Sequence, residues 1–146
     1  MLSEFDIVFT DRDLPHLMGW NKLYTRTTNA SNLLKMVETR KLTKDTAKKN
    51  SEWFKVKKRI LNYNMLSRVF LDRDIETFVA TSDMQPNRLK LDVVFVVNNK
   101  NESVIFGLRK SQSREFFVPT TLHTENLNNQ YNKRRLTKVV GLEWID

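Results

Sequence analysis

The chain of 146 residues contains no cysteine, only three glycines and three prolines, and two histidines. Without cysteine it has no disulfide framework, thiolate-bound zinc, iron–sulfur cluster or thiol nucleophile. Three glycines do not supply a P-loop or a dinucleotide-binding fingerprint. The H-E-x-x-H, G-x-S-x-G and EF-hand motifs are missing too. We therefore expect neither a cofactor nor a metal site.

Long apolar runs are also missing. No run approaches the roughly 20 residues that a membrane-spanning helix needs. The opening, MLSEFDIVFTDRD, lacks the basic-then-apolar layout of a signal peptide. We therefore expect no membrane partner and a cytoplasmic location, in the producing bacterium or in its target or host, or else a protein that is delivered whole.

Basic residues, by contrast, are in excess. Lys and Arg total 25 against 17 Asp and Glu, which gives a formal charge of +8 at pH 7. Such an excess favours a polyanionic partner, usually nucleic acid, although a surplus that serves solubility is the alternative. Nine Phe, three Trp and three Tyr are enough for a core, and the length suits a single domain over residues 1–146.

Most of the excess charge lies between Arg40 and Ile60, a segment with nine basic residues and two acidic ones. Cations clustered in this way bind a phosphate backbone without choosing its sequence. The nucleic-acid-binding candidates are Lys48, Lys49, Lys55, Lys57, Lys58, Arg59, Lys133, Arg134 and Arg135. On a helical wheel Lys57 lies between two apolar columns and Arg59 on the polar side, and which of them faces a cleft stays open.

The first half of the chain is predicted to be mainly helical, after a short strand over 5–10. The predicted helical features are turns at 13–19 that Asp13 caps and Gly19 ends, a helix capped by Ser31-Asn32, and a long helical signal from Thr43 to about Leu71, broken near Asn50-Ser51. Residues 20–30 are predicted to be a loop.

The second half is predicted to be strands joined by short turns, over 91–97, 103–110, 115–119 and 135–145. Gly107, in the middle of a strand, indicates a bulge or a close backbone approach. Short connections imply antiparallel pairing. The sequence therefore predicts an α+β domain, with N-terminal helices followed by an antiparallel sheet of about four strands.

The available side chains suit RNA cleavage without a metal. The ribose 2′-hydroxyl attacks its own phosphate, while one group removes its proton, another protonates the leaving 5′-oxygen, and cations hold the phosphorane charge. Histidine can take either proton role near neutral pH. The acidic pairs Asp11/Asp13 and Asp72/Asp74 are interpreted as caps and solvated loops rather than magnesium ligands.

The segment FTDRDLPHLMGWNKL at 9–23 resembles the opening of a nuclease family of phage and mobile-element polyvalent proteins. In that family a Phe-rich strand precedes a Pro-His-Leu-x-Gly-x-x-Lys-Leu motif. These proteins are phage members of the barnase–EndoU–colicin–RelE-like superfamily of RNases. Further similar segments, in order, are Leu42-Thr43, Lys58–Ile60, Phe116–Leu122 and Gln130-Tyr131. The chain departs from the pattern at Leu122-His123, where an aromatic pair is usual.

The resemblance implies a metal-independent endoribonuclease of toxin or phage type, with products that end in a 2′,3′-cyclic phosphate. The catalytic candidates are His16 and Lys22, from the motif, together with Arg109, Thr121 and His123 from their positions in the chain. His16 is the expected acid or base, Lys22 a phosphate clamp and His123 a partner acid. Thr120 and Tyr131 are weaker candidates, and a core role is expected for Tyr131.

A second reading keeps the same fold without catalysis, as a nucleic-acid- or protein-binding phage or mobile-element factor, because inactive relatives of enzymes are common. Both readings need the basic helix, but only the first needs His16 near a cation. A toxin-like RNase also implies an antitoxin, immunity protein or host factor that covers its basic surface. We find no helix-turn-helix pattern that would indicate a DNA-binding regulator.

Overall fold

A computed structural model describes residues 4–24 and 29–145 of the chain. The helices of the described residues come before most of the sheet: α1 (Asp13–Met18), α2 (Trp20–Leu23), α3 (Ala30–Glu38), α4 (Lys44–Lys48), α5 (Trp53–Leu61) and α6 (Asn64–Phe70). The strands are β1 (Asp6–Ile7), β2 (Thr77–Ala80), β3 (Val93–Asn98), β4 (Glu102–Lys110), β5 (Phe116–Asn126) and β6 (Leu136–Lys138). A turn of 3₁₀ helix at Tyr131–Lys133 precedes β6.

Within the described residues, six strands form one sheet in the order β1-β5-β4-β3-β2-β6. The predicted α+β class is confirmed, but the expected number of about four strands is too low. The additional strand β2 is four residues long, too short for its hydrophobic alternation to stand out in the sequence. The expected purely antiparallel pairing is also wrong at one edge, since β1 pairs with β5 in parallel.

Different elements pack on the two faces of the sheet. The helix face packs against α1 and α6 around a core that includes Leu17, Val69, Phe95 and Phe106. On the other face a smaller cluster contains Met84, Leu91, Val94, Ile105 and Tyr131. We call this second side the loop face, because the segments 81–92 and 127–134 lie over it. Neighbouring strand residues such as Ile105 and Phe106 therefore enter different cores.

Gly107 is a point of close approach between strand and loop, as predicted. A Cβ added there would lie 2.6 Å from Leu91 Cδ1 and 3.0 Å from Thr121 Cγ2. The register between β4 and β5 also shifts here: Gly107 pairs with Thr121, whereas Leu108 pairs with Pro119. Thr120 is therefore the extra residue of a bulge.

Several predicted helix boundaries are corrected. Asn29 caps α3 in place of Ser31-Asn32, and its side chain accepts from the Asn32 N–H at 2.9 Å. Asp13 accepts from the Thr10 N–H instead of capping α1. Residues 20–23 are helical rather than loop, while positions 25–28 of that predicted loop lie outside the described residues.

The long helical signal divides into α4, α5 and α6, and the break expected near Asn50-Ser51 is confirmed. At that break the Asn50 side chain donates to the distant Leu23 carbonyl and accepts from the Glu52 N–H, and the second, local bond takes the place of a helical one. A second interruption follows α5 at Asn62 and Tyr63.

The predicted strand at 135–145 is shorter in the structure, because only Leu136–Lys138 pairs with β2. Apolar residues that follow pack against the core and, within the described chain, do not pair with another strand. Val139 and Leu142 contact the helix-face core, and the Trp144 ring lies 6.5 Å from that of Phe70. Composition alone did not distinguish these two uses of apolar residues.

Candidate active site

The Pro-His-Leu-x-Gly-x-x-Lys-Leu motif around His16 contains some residues that are needed for packing and others that packing does not explain. Pro15, Leu17 and Leu23 are buried, which accounts for the apolar members. Gly19 ends α1 with φ = 70°, and a Cβ there would lie 2.8 Å from Val56 Cγ1 of α5. Positive φ and close approach both favour glycine. Packing does not account for the two polar members, His16 and Lys22.

His16 is exposed and joins α1 to the sheet. Its Nε2 lies 3.0 Å from the carbonyl oxygen of Thr120, a residue 104 positions away in the chain. Because a carbonyl only accepts, Nε2 carries the hydrogen and donates it. Nδ1 is then the nitrogen at which His16 can gain or lose a proton. The bulge that displaces Thr120 from the β4 register provides the anchor for this imidazole.

Lys22, on α2, belongs to a group of three neighbouring cations. The charge of Arg59 is the main cause that lowers the pKa of Lys22, followed by partial burial and by the charge of Lys55. Burial also lowers the pKa of Arg59, whose Cδ lies 3.5 Å from the point that a Cβ at Gly19 would occupy. Neighbouring positive charges repel one another, and cations grouped in this way are typical of a surface that binds an anion.

His123 lies on the loop face, between two side chains of its own strand. Its Nδ1 is 2.9 Å from Thr121 Oγ1, and its Nε2 is 2.9 Å from Glu125 Oε1. Residues two apart on a strand share a face, and pairing of Gly107 with Thr121 and of Ile105 with His123 fixes which face it is. The hydroxyl, the imidazole and the carboxylate therefore form one hydrogen-bonded row.

Arg109 and Tyr131 lie on the same face of the sheet as this row. Arg109 is two residues beyond Gly107 on β4, so strand alternation places it on the loop face. Tyr131 is buried, in agreement with the core role expected for it. Burial, and then the charge of Glu125, raise the pKa of Tyr131, against an opposing hydrogen bond with Gln130.

The structure thus divides the five predicted catalytic residues into two groups. His16 and Lys22 lie with the helices, and Arg109, Thr121 and His123 lie on the loop face. The groups meet at β5, where His16 bonds to Thr120 and His123 bonds to the next residue, Thr121. Sequence reasoning missed Glu125, although the alternation Thr-x-His-x-Glu on a strand could have indicated it.

The predicted nucleic-acid-binding residues differ in whether their side chains pair with other groups of the protein. Lys48, Lys49, Lys57, Lys133 and Arg135 are exposed. Lys55 pairs with Glu52, and Lys58 Nζ lies 2.5 Å from Glu102 Oε2.

Arg134 bonds the Ala80 carbonyl and the Asp83 carboxylate, which gives it a structural role in the entry to β6. Of Lys57 and Arg59, it is Arg59 that packs beside Gly19 and Lys22, on the side of His16.

Neither a metal-binding cluster nor a membrane-spanning helix occurs in the described parts of the chain. Within residues 4–24 and 29–145, no three or more His, Asp or Glu are grouped so as to hold a metal ion. None of the helices in these ranges combines the length and the apolar character required to cross a membrane.

Helices on one face of a six-stranded sheet, with an imidazole and a hydroxyl on β5 and cations on the neighbouring helices, define an α+β protein with side chains suited to phosphate chemistry. Residues 2–143 match the model of one family, described as phage-Barnase-EndoU-ColicinE5/D-RelE like nuclease 4. The chain belongs to this nuclease family, and the resemblance found in the sequence is confirmed. No curated protein and no solved structure matches the chain.

Proposed function

We propose that this protein is a metal-independent endoribonuclease of toxin or phage type, acting as a single domain in the cytoplasm of its producer or host. One observation carries the proposal beyond the nuclease family: both histidines bond to consecutive residues of β5, His16 to Thr120 and His123 to Thr121. One imidazole on α1 and one on β5, both bonded to the same strand, supply the acid and the base that RNA transesterification needs.

In the proposed reaction His16 is the general base and His123 the general acid. The 2′-hydroxyl gives its proton to His16 Nδ1, and its oxygen forms a bond to phosphorus. The bond from phosphorus to the 5′-oxygen breaks, and the leaving oxygen takes a proton from His123. Lys22 and Arg59 stabilise the charge of the phosphorane, in the role that cations take in phosphoryl transfer.

The basic surface of α4 and α5 supplies affinity in this proposal. Lys48, Lys49 and Lys57 are exposed, and Lys55 lies close enough to Lys22 to lower its pKa. Contacts of this kind release counterions and bind any RNA backbone. The α5 surface therefore leads a strand of RNA toward β5 without selecting its sequence.

The test is incubation of the purified protein with total RNA in EDTA, with analysis of the product ends. We expect fragments that carry a 2′,3′-cyclic phosphate and a free 5′-hydroxyl. A double variant, His16→Ala with His123→Ala, controls for contaminating RNases. Cleavage that requires added magnesium and stops in EDTA would overturn the proposed chemistry. RNA binding without cleavage would instead support the factor that binds but does not cleave.

We also propose an acidic protein partner, an antitoxin, immunity protein or host factor. Around the basic residues of α5 the large side chains of Phe54, Leu61 and Tyr63 are exposed by 65%, 51% and 63%. Apolar groups interspersed with lysines suit a partner that combines carboxylates with an apolar surface. Such a partner should associate rapidly at low salt, slowly at high salt, and in competition with RNA.

A further inference from the structure

Glu125 is an acidic group beside His123 that has no part in the reaction as proposed above. Its Oε1 lies 2.9 Å from His123 Nε2, and both side chains are partly buried, with 31% and 22% exposed. The other nitrogen of His123 faces the Thr121 hydroxyl at 2.9 Å. Since both ring nitrogens have partners, the protonation pattern of this imidazole follows from the chemistry of those partners.

An ionised carboxylate only accepts hydrogen bonds, whereas a hydroxyl can donate one. Neutral His123 must therefore carry its hydrogen on Nε2 and accept the Thr121 O–H at Nδ1. Glu125 thereby specifies one tautomer.

We infer that Glu125 is a positioning residue, which makes Nδ1 of His123 the nitrogen that delivers the proton to the leaving 5′-oxygen. This inference rests on the proposed function. Before the step His123 is an imidazolium with Nε2–H on Glu125, and the Thr121 hydroxyl has turned away from Nδ1 so that Nδ1–H reaches the RNA. As the P–O5′ bond breaks, the Nδ1 proton moves to the 5′-oxygen and its electron pair stays on Nδ1. Neutral His123 remains bound to Glu125, and the Thr121 hydroxyl returns to Nδ1.

Nitrogen NMR of the imidazole tests the tautomer independently of activity. The chain has two histidines, so His16→Ala leaves His123 as the single imidazole. In alkaline buffer we expect Nε2–H alone in this background. Glu125→Gln keeps a carbonyl oxygen as acceptor and should preserve that tautomer, while Glu125→Ala should give a mixture. A single Nε2–H form in the Glu125→Ala protein would overturn the inference.

Steady-state cleavage with His16 intact tests the consequence. Glu125→Ala and Glu125→Gln should both lower kcat by about tenfold to a hundredfold, the effect of losing a hydrogen bond between charged groups, with KM nearly unchanged, because the charge that stabilises the imidazolium is lost in both. Glu115→Gln is the matched control: this side chain is 91% exposed and pairs with Lys110, so its kcat should equal that of the wild type. Melting temperatures show whether each variant folds.

The two hypotheses fail in different ways. If wild-type protein cleaves RNA and folded Glu125 variants retain its kcat, the positioning role is wrong and the proposed function stands. If His123 shows the expected tautomers but wild-type protein does not cleave RNA, the arrangement of Glu125 stands and the ribonuclease proposal is wrong.

Discussion

The helix side and the loop face of β5 carry different halves of the proposed chemistry. On the helix side an exposed imidazole, His16, lies among helices that bear Lys22, Lys55 and Arg59, whose charges repel one another. On the loop face His123 is fixed between a hydroxyl and a carboxylate. The difference suggests a division of labour, with phosphate binding and proton removal by His16 on the helix side and proton delivery by His123 on the loop face.

Removal of an imidazole should give the largest effect. His16→Ala and His123→Ala should each reduce the cleavage rate by about 10²–10⁴, because a general base or acid is lost, and RNA affinity should remain within a few-fold. Lys22→Ala should instead weaken both rate and binding. Single-turnover rates, RNA affinity and melting temperature are measured together for the three variants.

A structural role for His16 would give a different pattern. His16→Gln keeps a side-chain N–H that can reach the Thr120 carbonyl, a bond of about 0.5–1.5 kcal/mol, but has no titrating nitrogen. If His16→Gln restores cleavage along with stability, or if His16→Ala cleaves like the wild type, the imidazole is not the base.

Charge reversal should separate the binding surface from the rest of the molecule. Exposed Lys48, Lys49 and Lys57 changed together to Glu should weaken RNA binding and flatten its salt dependence, by about 0.7 in log–log slope for each phosphate that the variant no longer neutralises. Lys133→Glu with Arg135→Glu is the matched comparison in the other basic cluster. An altered slope in that pair alone would place the RNA on the β6 side.

The two glycines that face neighbouring elements allow the same substitution in both regions. Gly107→Ala crowds Leu91 and Thr121, and overpacking costs about 1–3 kcal/mol. Gly19→Ala crowds Val56 and also places a side chain at φ = 70°, which adds about 1–2 kcal/mol. Denaturant unfolding should therefore rank Gly19→Ala as the less stable protein. The reverse order would show that the α1–α2 junction adjusts more easily than the sheet.

The smallest expected effect concerns Lys22. Arg59→Gln should raise the pKa of Lys22, since the charge of Arg59 is the main cause of its lowering. A folded pKa below the ordinary 10.5 means that the unfolded chain binds more protons between the two values. Stability then rises with pH across that alkaline window, and Arg59→Gln should reduce the rise. NMR titration of Lys22 and unfolding at several pH values measure both effects.

Local signals in the sequence were sufficient for much of the fold. Gly19 ends a helix, Asn50 interrupts one, and Gly107 marks a close approach, because each follows from the backbone and hydrogen-bonding chemistry of a single residue. Local signals were not sufficient to predict strands whose pairing partners are distant in the chain. The strand β2 and the parallel pairing of β1 depend on β3, β5 and β6, which the local pattern does not contain.

For the candidate site, the sequence alone determined the chemical inventory: two imidazoles, no thiols and a concentrated basic stretch, and with them the family resemblance. Only the tertiary structure decided the grouping. It placed His16 at the Thr120 carbonyl, put Arg109, Thr121 and His123 on the opposite face, and engaged Arg134 with Asp83. The reason is that the sequence of a strand shows which of its side chains share a face of the sheet. Which helix or loop covers that face depends on packing between segments that are distant in the chain.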